Sequence, residues 1–251
     1  MVAYYDLWVV FIFGLITALA TGLGALPFFF TKKIPERPEA LLYGIAIGVM
    51  ISVSILGLIP EGLKYGTTTS VSIGLISGAL FLHLANSMLP HHHNLYKKLT
   101  GADKKSLFLI VGVLTIHSFP EGFAVGTAFA GSNELFWLVF IAISIHNIPE
   151  GLGVSVPMAL SGVSKWRMVF VSIFTSLPQP IGAVIAYILV TTIKGILPFS
   201  FGFAAGAMIM MVIYHMSPSD YHIKKKSWAS IGTIIGFSIM IVLDLSFRLL
   251  R

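Results

Sequence analysis

HSFPEG at residues 117–122 and HNIPEG at residues 146–151 are nearly identical, and each lies inside a long apolar stretch of the chain. Each hexapeptide holds a histidine and a glutamate four residues apart, with a proline between them. Side chains at positions i and i+4 share one face of an α-helix, so His117 and Glu121 point the same way, as do His146 and Glu150. A third copy of the ending, IPEG, occupies residues 59–62.

The composition predicts that these motifs lie in a membrane. The chain has 251 residues, of which 56% are hydrophobic and 10% charged, and its mean hydropathy is +0.91. Soluble domains have about a quarter charged residues, and the apolar runs are too long and unbroken for a membrane β-barrel. We therefore expect an all-α integral membrane protein. The absence of cysteine excludes disulfide scaffolds and thiolate metal sites.

Eight segments are long and apolar enough for transmembrane helices, which need about 20 residues each. The loops between them are short, so residues 1–251 are predicted to form a single transmembrane domain. The N-terminal stretch MVAYYDLWVVFIFG has no basic region or cleavage motif, and we interpret it as part of the first span rather than as a signal peptide. The predicted spans are approximately 7–30, 40–58, 71–89, 107–129, 135–158, 168–191, 197–216 and 228–250.

Basic residues are distributed unevenly between the two sides of these spans. The loops after spans one, three, five and seven hold twelve of the sixteen lysines and arginines. The twelve are Lys32, Lys33, Arg37, Lys97, Lys98, Lys104, Lys105, Lys165, Arg167, Lys224, Lys225 and Lys226. Basic loops stay in the cytoplasm, which predicts a multi-pass protein of the cell membrane with both termini extracytoplasmic. The same residues are spread over four loops without an aromatic platform, which disfavours nucleic acid as a partner.

Two of the ten acidic residues, Glu121 and Glu150, fall near the midpoints of their spans, together with His117 and His146. A charged residue at the bilayer centre costs about 2.5–3.5 kcal/mol on insertion scales, and two carboxylates at one depth repel each other. Protons or a bridging cation would offset this cost. Because the short GSNE loop turns the two faces toward each other, two imidazoles and two carboxylates can converge, and such donors suit Zn²⁺, Fe²⁺, Mn²⁺ or Co²⁺.

The prolines and glycines of the motifs indicate a binding region. Pro120 and Pro149 lack the N–H that would bond the carbonyl four residues earlier, and Gly122 and Gly151 allow close backbone approach. Irregular backbone at this depth is tolerated where it lines a cavity or is covered by protein. A membrane helix with proline, glycine and an acid at its centre is typical of a transporter's binding region.

The paired motifs on the fourth and fifth spans resemble those of the ZIP (Zrt/Irt-like) family of divalent metal transporters, of the prokaryotic type. The similarity covers nearly the whole chain and includes PQPIGA in span six, GFAAGAM in span seven and a basic, histidine-containing loop after span three. The resemblance implies a 3+2+3 helix bundle with inverted repeats, inserted in the lipid bilayer, and commonly a homodimer. It also implies transport of Zn²⁺, or of Fe²⁺, Mn²⁺, Co²⁺ or Cd²⁺, into the cytoplasm.

The resemblance assigns seven residues of this chain to the metal site. They are His117, Glu121, His146 and Glu150 as central ligands, Ser118 and Asn147 as members of a second, adjacent site, and Met50 as a span-two residue that can face the metal. In the second site Glu121 and Glu150 would bridge two ions. A packing role for Met50 remains an equal alternative, since a thioether is also a good core residue.

The chain departs from the family's pattern around the second site. Ser118 stands where the family often has asparagine, and Gln179 where many members have glutamate. Tyr214, His215 and Ser219 replace acidic residues of span seven. The first site is complete, whereas the second is depleted in charge, which would weaken Mn²⁺ relative to Zn²⁺ there. His215 is either a nitrogen ligand or an interface residue.

Two further features each allow two interpretations. Glu61, at the predicted outer end of span two, either attracts cations to an entrance or is a solvated helix terminus. The cluster at His91–His93 either binds exiting metal weakly or is an ordinary solvated loop.

Three functions are compatible with a buried His/Glu site. Transport of a divalent cation is the main prediction. An intramembrane metalloenzyme is disfavoured, because H-E-x-x-H is absent and no nucleophile or general base accompanies the four residues. We therefore predict that the protein is not an enzyme. A sensor or scaffold that binds metal without moving it remains the alternative.

Overall fold

A computed structural model of the chain describes residues 4–31, 33–87, 104–193, 195–215 and 226–249. Within these ranges the protein is helical and contains no β-strand. A 3₁₀ turn covers Leu26–Phe29, and a π-helical segment covers Val53–Leu58. The α-helices are α1 (Tyr4–Leu23), α2 (Glu36–Ser52), α3 (Ile59–Tyr65), α4 (Thr68–Ser87), α5 (Lys104–Gly131), α6 (Asn133–Leu160), α7 (Lys165–Thr175), α8 (Pro178–Thr192), α9 (Leu197–His215) and α10 (Lys226–Leu249).

These helices occupy the eight segments predicted as spans from the sequence. The π segment joins α2 and α3 into one continuous rod from Glu36 to Tyr65. This rod is longer than the predicted span 40–58, because its polar ends continue the helix beyond the apolar run. The sixth span is two helices, α7 and α8, interrupted at residues 176–177, because Pro178 starts a new helix at its first turn. Residues 88–89, 216 and 250, the predicted ends of spans three, seven and eight, lie outside the described ranges.

The lengths and surfaces of the helices fit a membrane. Seven of the spans within the described ranges are apolar and long enough to cross a bilayer. The eighth, α5, has 28 residues and is therefore about 42 Å long, more than the roughly 30 Å of the hydrocarbon core. Large apolar side chains point outward along the spans, including Trp8, Phe170 and Ile234, which are 67%, 67% and 68% exposed. The expectation of an all-α, multi-pass membrane protein is confirmed.

The spans pack as two groups. The first group contains α1, α5, α6, α7 and α8, and the second contains α2, α3, α4, α9 and α10. Within the second group α4 lies along α9 and α2 along α10, with glycines such as Gly78 and Gly48 directly against backbone of the neighbouring helix. The groups meet where α5 contacts α9 and α6 contacts α2. The main apolar core extends through both groups.

The central pair of helices, α5 and α6, have matching lengths and matching motif positions. Each has 28 residues, and His117 and His146 are each the fourteenth residue of their helix. The helices are antiparallel neighbours joined at Ser132, whose side chain caps α6 by accepting a 3.3 Å hydrogen bond from Leu135 N. The two motifs therefore lie at the same depth, near the middle of the bundle. Three spans precede this pair and three follow it, whereas the predicted inverted symmetry of those triplets remains a prediction.

Candidate metal site

Glu121, His146 and Glu150 converge in the interior of the protein. One ligand atom from each lies within 4.8 Å of the ligand atoms of the other two. Their exposed fractions are 0%, 1% and 9%. His146 Nδ1 lies 3.8 Å from Glu121 Oε1. The i, i+4 spacing and the antiparallel pairing of α5 and α6 thus bring together three of the four residues predicted as central ligands.

Four polar atoms of this trio have no hydrogen-bond partner in the part of the chain that the structure describes. Glu121 Oε1, His146 Nε2 and both carboxylate oxygens of Glu150 are buried and accept or donate no hydrogen bond in the described part of the chain. Nearly all buried polar groups in proteins are hydrogen-bonded, because each group left without a partner costs free energy. Two carboxylates and an imidazole left in this way form a donor set suited to a divalent cation such as Zn²⁺.

The glycine of each motif lets a neighbouring helix approach the site. A Cβ on Gly122 would overlap the carbonyl oxygen of Gln179 at the start of α8. A Cβ on Gly151 would overlap the carbonyl oxygen of Thr21 on α1. Because these glycines directly follow Glu121 and Glu150, α8 and α1 pack against the backbone beside the two carboxylates.

Two carboxamides from different helices connect Glu121 with His146. Asn147 Nδ2 donates to Thr17 O at 2.6 Å and to Gln179 Oε1 at 3.0 Å, and Gln179 Nε2 donates to Glu121 Oε2 at 2.7 Å. His146 Nδ1 lies 3.4 Å from Asn147 Oδ1. Since an amide oxygen only accepts, Nδ1 carries the proton in this bond and Nε2 presents its lone pair. Asn147 therefore acts on His146 as an orienting partner in this conformation.

The fourth predicted ligand, His117, is buried but stands outside the trio. It is 1% exposed, and its Nε2 lies 3.1 Å from Asn86 Oδ1. Asn86 belongs to α4 in the second group, whereas His117 belongs to α5 in the first group. This hydrogen bond therefore joins the two groups one helical turn from Glu121.

Comparison with known proteins is consistent with this geometry. The family model described as ZIP zinc transporter matches residues 92–244. The zinc transporter GufA of Myxococcus xanthus is 30% identical over 245 residues, which cover 93% of this chain and 96% of that protein. The chain belongs to the ZIP zinc transporter family. Membership of a family of transporters confirms the prediction that the protein is not an enzyme.

Other relatives differ in length. A putative zinc transporter of Arabidopsis thaliana is 40% identical over 240 residues, which cover 94% of this chain but only 38% of the plant protein. The zinc transporter ZIPB of Bordetella bronchiseptica is 30% identical over 237 residues, which cover 90% of this chain and 77% of that protein. The similarity to all three therefore extends over almost the whole of this chain.

The remaining residues that the ZIP resemblance assigned to the site are also buried. Ser118 is fully buried on α5. Met50 is 1% exposed and belongs to the main apolar core, and its carbonyl accepts a 2.8 Å hydrogen bond from Ser54 Oγ. Contact of Ser118 or Met50 with metal stays a prediction. Asn147 Nδ2 donates two hydrogen bonds, and coordination of metal by Asn147 Oδ1 also stays a prediction.

Glu61 is buried rather than solvated, in contrast to one of the two interpretations of the sequence. It is 8% exposed, and its Oε2 accepts a 2.6 Å hydrogen bond from Lys64 Nζ. Glu61 and Lys64 line a pocket together with Glu134 and Asp244. Three carboxylates and one ammonium group thus surround this pocket, which lies on the predicted extracytoplasmic side.

The predicted cytoplasmic end of the second group is described in part. Tyr214, one of the departures from the ZIP pattern, hydrogen-bonds through its hydroxyl to His83 Nδ1 at 2.6 Å. His91–His93, Ser219 and the side chain of His215 lie outside the described residues, so the roles considered for them stay predictions.

Two partners of the site were not identified from the sequence. Asn86 was not singled out, and Gln179 was noted only as a departure from the ZIP pattern. The available signal was an uncharged polar side chain within an apolar span, which usually needs a hydrogen-bonding partner. Which partner each would find depends on helix neighbours that one sequence does not reveal.

Proposed function

We propose that the protein transports Zn²⁺ across the cell membrane into the cytoplasm, with Glu121, His146, Glu150 and His117 as its transport site. The observation that carries this proposal is the convergence of two carboxylates and an imidazole at the middle of the two central helices, where four of their buried atoms have no hydrogen bond from a described residue. Membership of the ZIP family supports zinc as the cargo, since its model and the relatives named above are described as zinc transporters. Fe²⁺, Mn²⁺, Co²⁺ and Cd²⁺ are further candidate substrates.

Binding is driven by mutual neutralisation of the ion and the two carboxylates. Glu121 and Glu150 together carry two negative charges when ionised, which balance one divalent cation in a setting of low dielectric. His146 adds a neutral nitrogen ligand through Nε2. Because the ligands come from only two adjacent helices, they can move together as a unit.

His117 completes the site by a movement of its side chain. It lies on the same face of α5 as Glu121, one turn away, and is held toward Asn86 in this conformation. A change of rotamer would exchange the Asn86 hydrogen bond for a bond to the ion. The reverse movement would remove one ligand and favour release.

Alternating access follows from movement of the two groups relative to each other. The trio belongs to the first group, and α2 and α9 of the second group cover the central helices. Rocking of one group against the other would open the midplane site first to one side and then to the other. The acidic pocket at Glu61, Glu134 and Asp244 would raise the local concentration of cations at the outer side.

The direction of transport is inferred from the distribution of basic residues, and the assembly from the ZIP resemblance. The excess of basic residues on one side favours a cytoplasmic location for that side and an external location for both termini. A homodimer is proposed from the ZIP resemblance alone. Mass measurement of the purified protein by light scattering with correction for detergent distinguishes a dimer from a monomer.

The decisive experiment is uptake of a panel of divalent cations into proteoliposomes, with Glu121→Ala and His146→Ala beside the parent. We expect the parent to accumulate Zn²⁺ and both variants to lose uptake. If the folded parent binds Zn²⁺ in detergent but moves no cation in vesicles, the sensor or scaffold function replaces transport.

A further inference from the structure

We propose that Gln179 determines metal selectivity by restricting Glu121 to a single metal–oxygen bond, which favours Zn²⁺ over Mn²⁺. This inference rests on the proposed function of the site. Gln179 acts through Glu121 and is a positioning residue, not a ligand. It is fully buried at the start of α8.

The orientation of the Gln179 amide is set by a chain of hydrogen bonds that begins at a backbone carbonyl. Thr17 O can only accept, so Asn147 presents its amide nitrogen to it at 2.6 Å. The same nitrogen donates to Gln179 Oε1 at 3.0 Å. Gln179 is therefore obliged to direct its Nε2 toward Glu121 Oε2, at 2.7 Å. The reversed amide would place two N–H groups against each other and leave a carbonyl oxygen against a carboxylate.

The backbone of α8 brings this side chain within reach of the carboxylate. Gln179 follows Pro178, which starts α8, and Gln179 N donates to Ser176 O at 3.0 Å across the break in the span. The absence of a side chain at Gly122 lets the Gln179 carbonyl pack directly against α5. The contact with Glu121 therefore does not depend on a flexible loop.

The hydrogen bond makes the two carboxylates of the site unequal. Glu121 Oε2 accepts a hydrogen bond from Gln179, whereas Glu121 Oε1 and both oxygens of Glu150 have no hydrogen bond from any described residue. A carboxylate with one oxygen held in this way offers the other oxygen to an ion, and few oxygen ligands in total are then available. Zn²⁺ is commonly bound by four ligands of mixed nitrogen and oxygen type, whereas Mn²⁺ prefers octahedral, oxygen-rich sites.

The test is the ratio of Zn²⁺ to Mn²⁺ transport efficiency, measured as kcat/KM in proteoliposomes, for the parent and Gln179→Leu. Leucine removes the hydrogen bond without changing the charge of the site. Because both oxygens of Glu121 would then be available to Mn²⁺, we expect the ratio to fall by roughly tenfold or more. Gln179→Asn, which is polar but too short to reach both Asn147 and Glu121, should lower the ratio as well and serves if the leucine variant does not fold.

Two further variants separate this mechanism from others. Thr175→Val removes a buried hydroxyl whose bond is to Ser172 O within the same span, and it should leave the ratio unchanged.

Gln179→Glu adds a negative charge at the position of Gln179. A ratio that changes in Gln179→Glu but not in Gln179→Leu or Gln179→Asn would assign selectivity to charge and overturn the proposal. Equal loss of Zn²⁺ and Mn²⁺ transport in the leucine and asparagine variants would show a purely structural role and also overturn it.

Calorimetric titration of the purified full-length chain with Zn²⁺ and Mn²⁺ in detergent tests the same ratio at equilibrium. This measurement remains decisive if the parent moves no cation, in which case transport fails as the function while selective binding is still measured. An unchanged ratio of dissociation constants in Gln179→Leu and Gln179→Asn would overturn the proposal independently of flux.

Discussion

Among the individual residues of the site, Glu150 is the carboxylate that most needs a cation to balance its charge. Both of its carboxylate oxygens are buried and have no hydrogen bond within the described residues. The negative charge of Glu150 therefore attracts a cation, and it lowers the stability of the protein when no cation is bound. Opposite effects of one substitution on function and on stability follow from this position.

We expect Glu150→Gln to reduce Zn²⁺ uptake by about 100-fold or more, because loss of one partner of a buried charge pair costs about 3–5 kcal/mol. The metal-free variant should be at least as stable as the parent, because a buried carboxylate has been removed. Zinc should raise the Tm of the parent by mass action and not that of the variant. Uptake assays and thermal unfolding in detergent measure the two effects, with Glu36→Gln in the first turn of α2 as the control. A large drop in metal-free Tm would contradict this account of Glu150.

The hydrogen bond between His117 and Asn86 makes a second prediction at this scale. Asn86→Ala removes a competitor for His117, so KM for Zn²⁺ should fall by a few-fold, in line with the roughly 1 kcal/mol of a hydrogen bond. Release of Zn²⁺ should also be slower, because His117 would no longer find the Asn86 oxygen as an acceptor when it leaves the ion, so kcat should fall as well. Initial uptake rates over a range of Zn²⁺ concentrations give both constants.

His117→Ala should instead raise KM, and Ser87→Ala, beside Asn86 on α4, should change neither constant. If Asn86→Ala raised KM as much as His117→Ala does, Asn86 would belong to the binding site rather than compete with it.

The positions of the site residues could be predicted from the sequence where they depend on spacing within a single helix. The four-residue spacing puts Glu121 and Glu150 on the same faces as their histidines, and the trio converges as expected. His117 is held elsewhere because Asn86, on a different span, provides a hydrogen-bond acceptor. The hydrogen bonds of Gln179 also depend on the neighbours of α8, which local spacing does not reveal.

At the scale of the element, the glycine of each motif controls the distance between helices. Gly122→Ala would force a methyl group against the Gln179 carbonyl and displace α8. Overpacking of this kind costs about 1–3 kcal/mol, and it would also remove the contact with Glu121. We expect a lower Tm and loss of Zn²⁺ uptake, measured by thermal unfolding and by flux.

Gly112→Ala is the matched control, because it lies on the same helix and a Cβ there would meet no described atom within 4 Å. Its stability and uptake should remain close to those of the parent. Equal tolerance of both substitutions would show that α8 can shift without consequence for the site.

Element boundaries were predictable where apolar runs end sharply, and less so elsewhere. α5 and α6 extend only two or three residues beyond their predicted ends on either side. The interruption of span six has a local signal in Pro178 and Pro180, but hydropathy alone predicts one continuous span there. The π-helical segment Val53–Leu58 has no such signal, since the accommodation of a wider turn depends on packing against neighbouring helices.

At the scale of the whole molecule, the chain permits a direct test of its orientation. It contains no cysteine, so a single introduced cysteine is the sole thiol available to a reagent. Thr69→Cys, at the start of α4, should react with a membrane-impermeant maleimide in intact cells. Ser164→Cys, between α6 and α7, should react only after the membrane is permeabilised. The opposite pattern would invert the proposed topology and place both termini in the cytoplasm.

The matching positions of the motifs in α5 and α6 have an electrical consequence. Both histidines are the fourteenth of 28 residues, so an ion bound at the proposed site would have crossed about half of the membrane's electric field. One elementary charge gains about 2.3 kcal/mol per 100 mV over the full thickness, so two charges over half of it gain about the same. This corresponds to roughly a 50-fold change in occupancy per 100 mV. The resting voltage of a cell, negative inside, would thus load the site from the external medium and oppose loading from the cytoplasm.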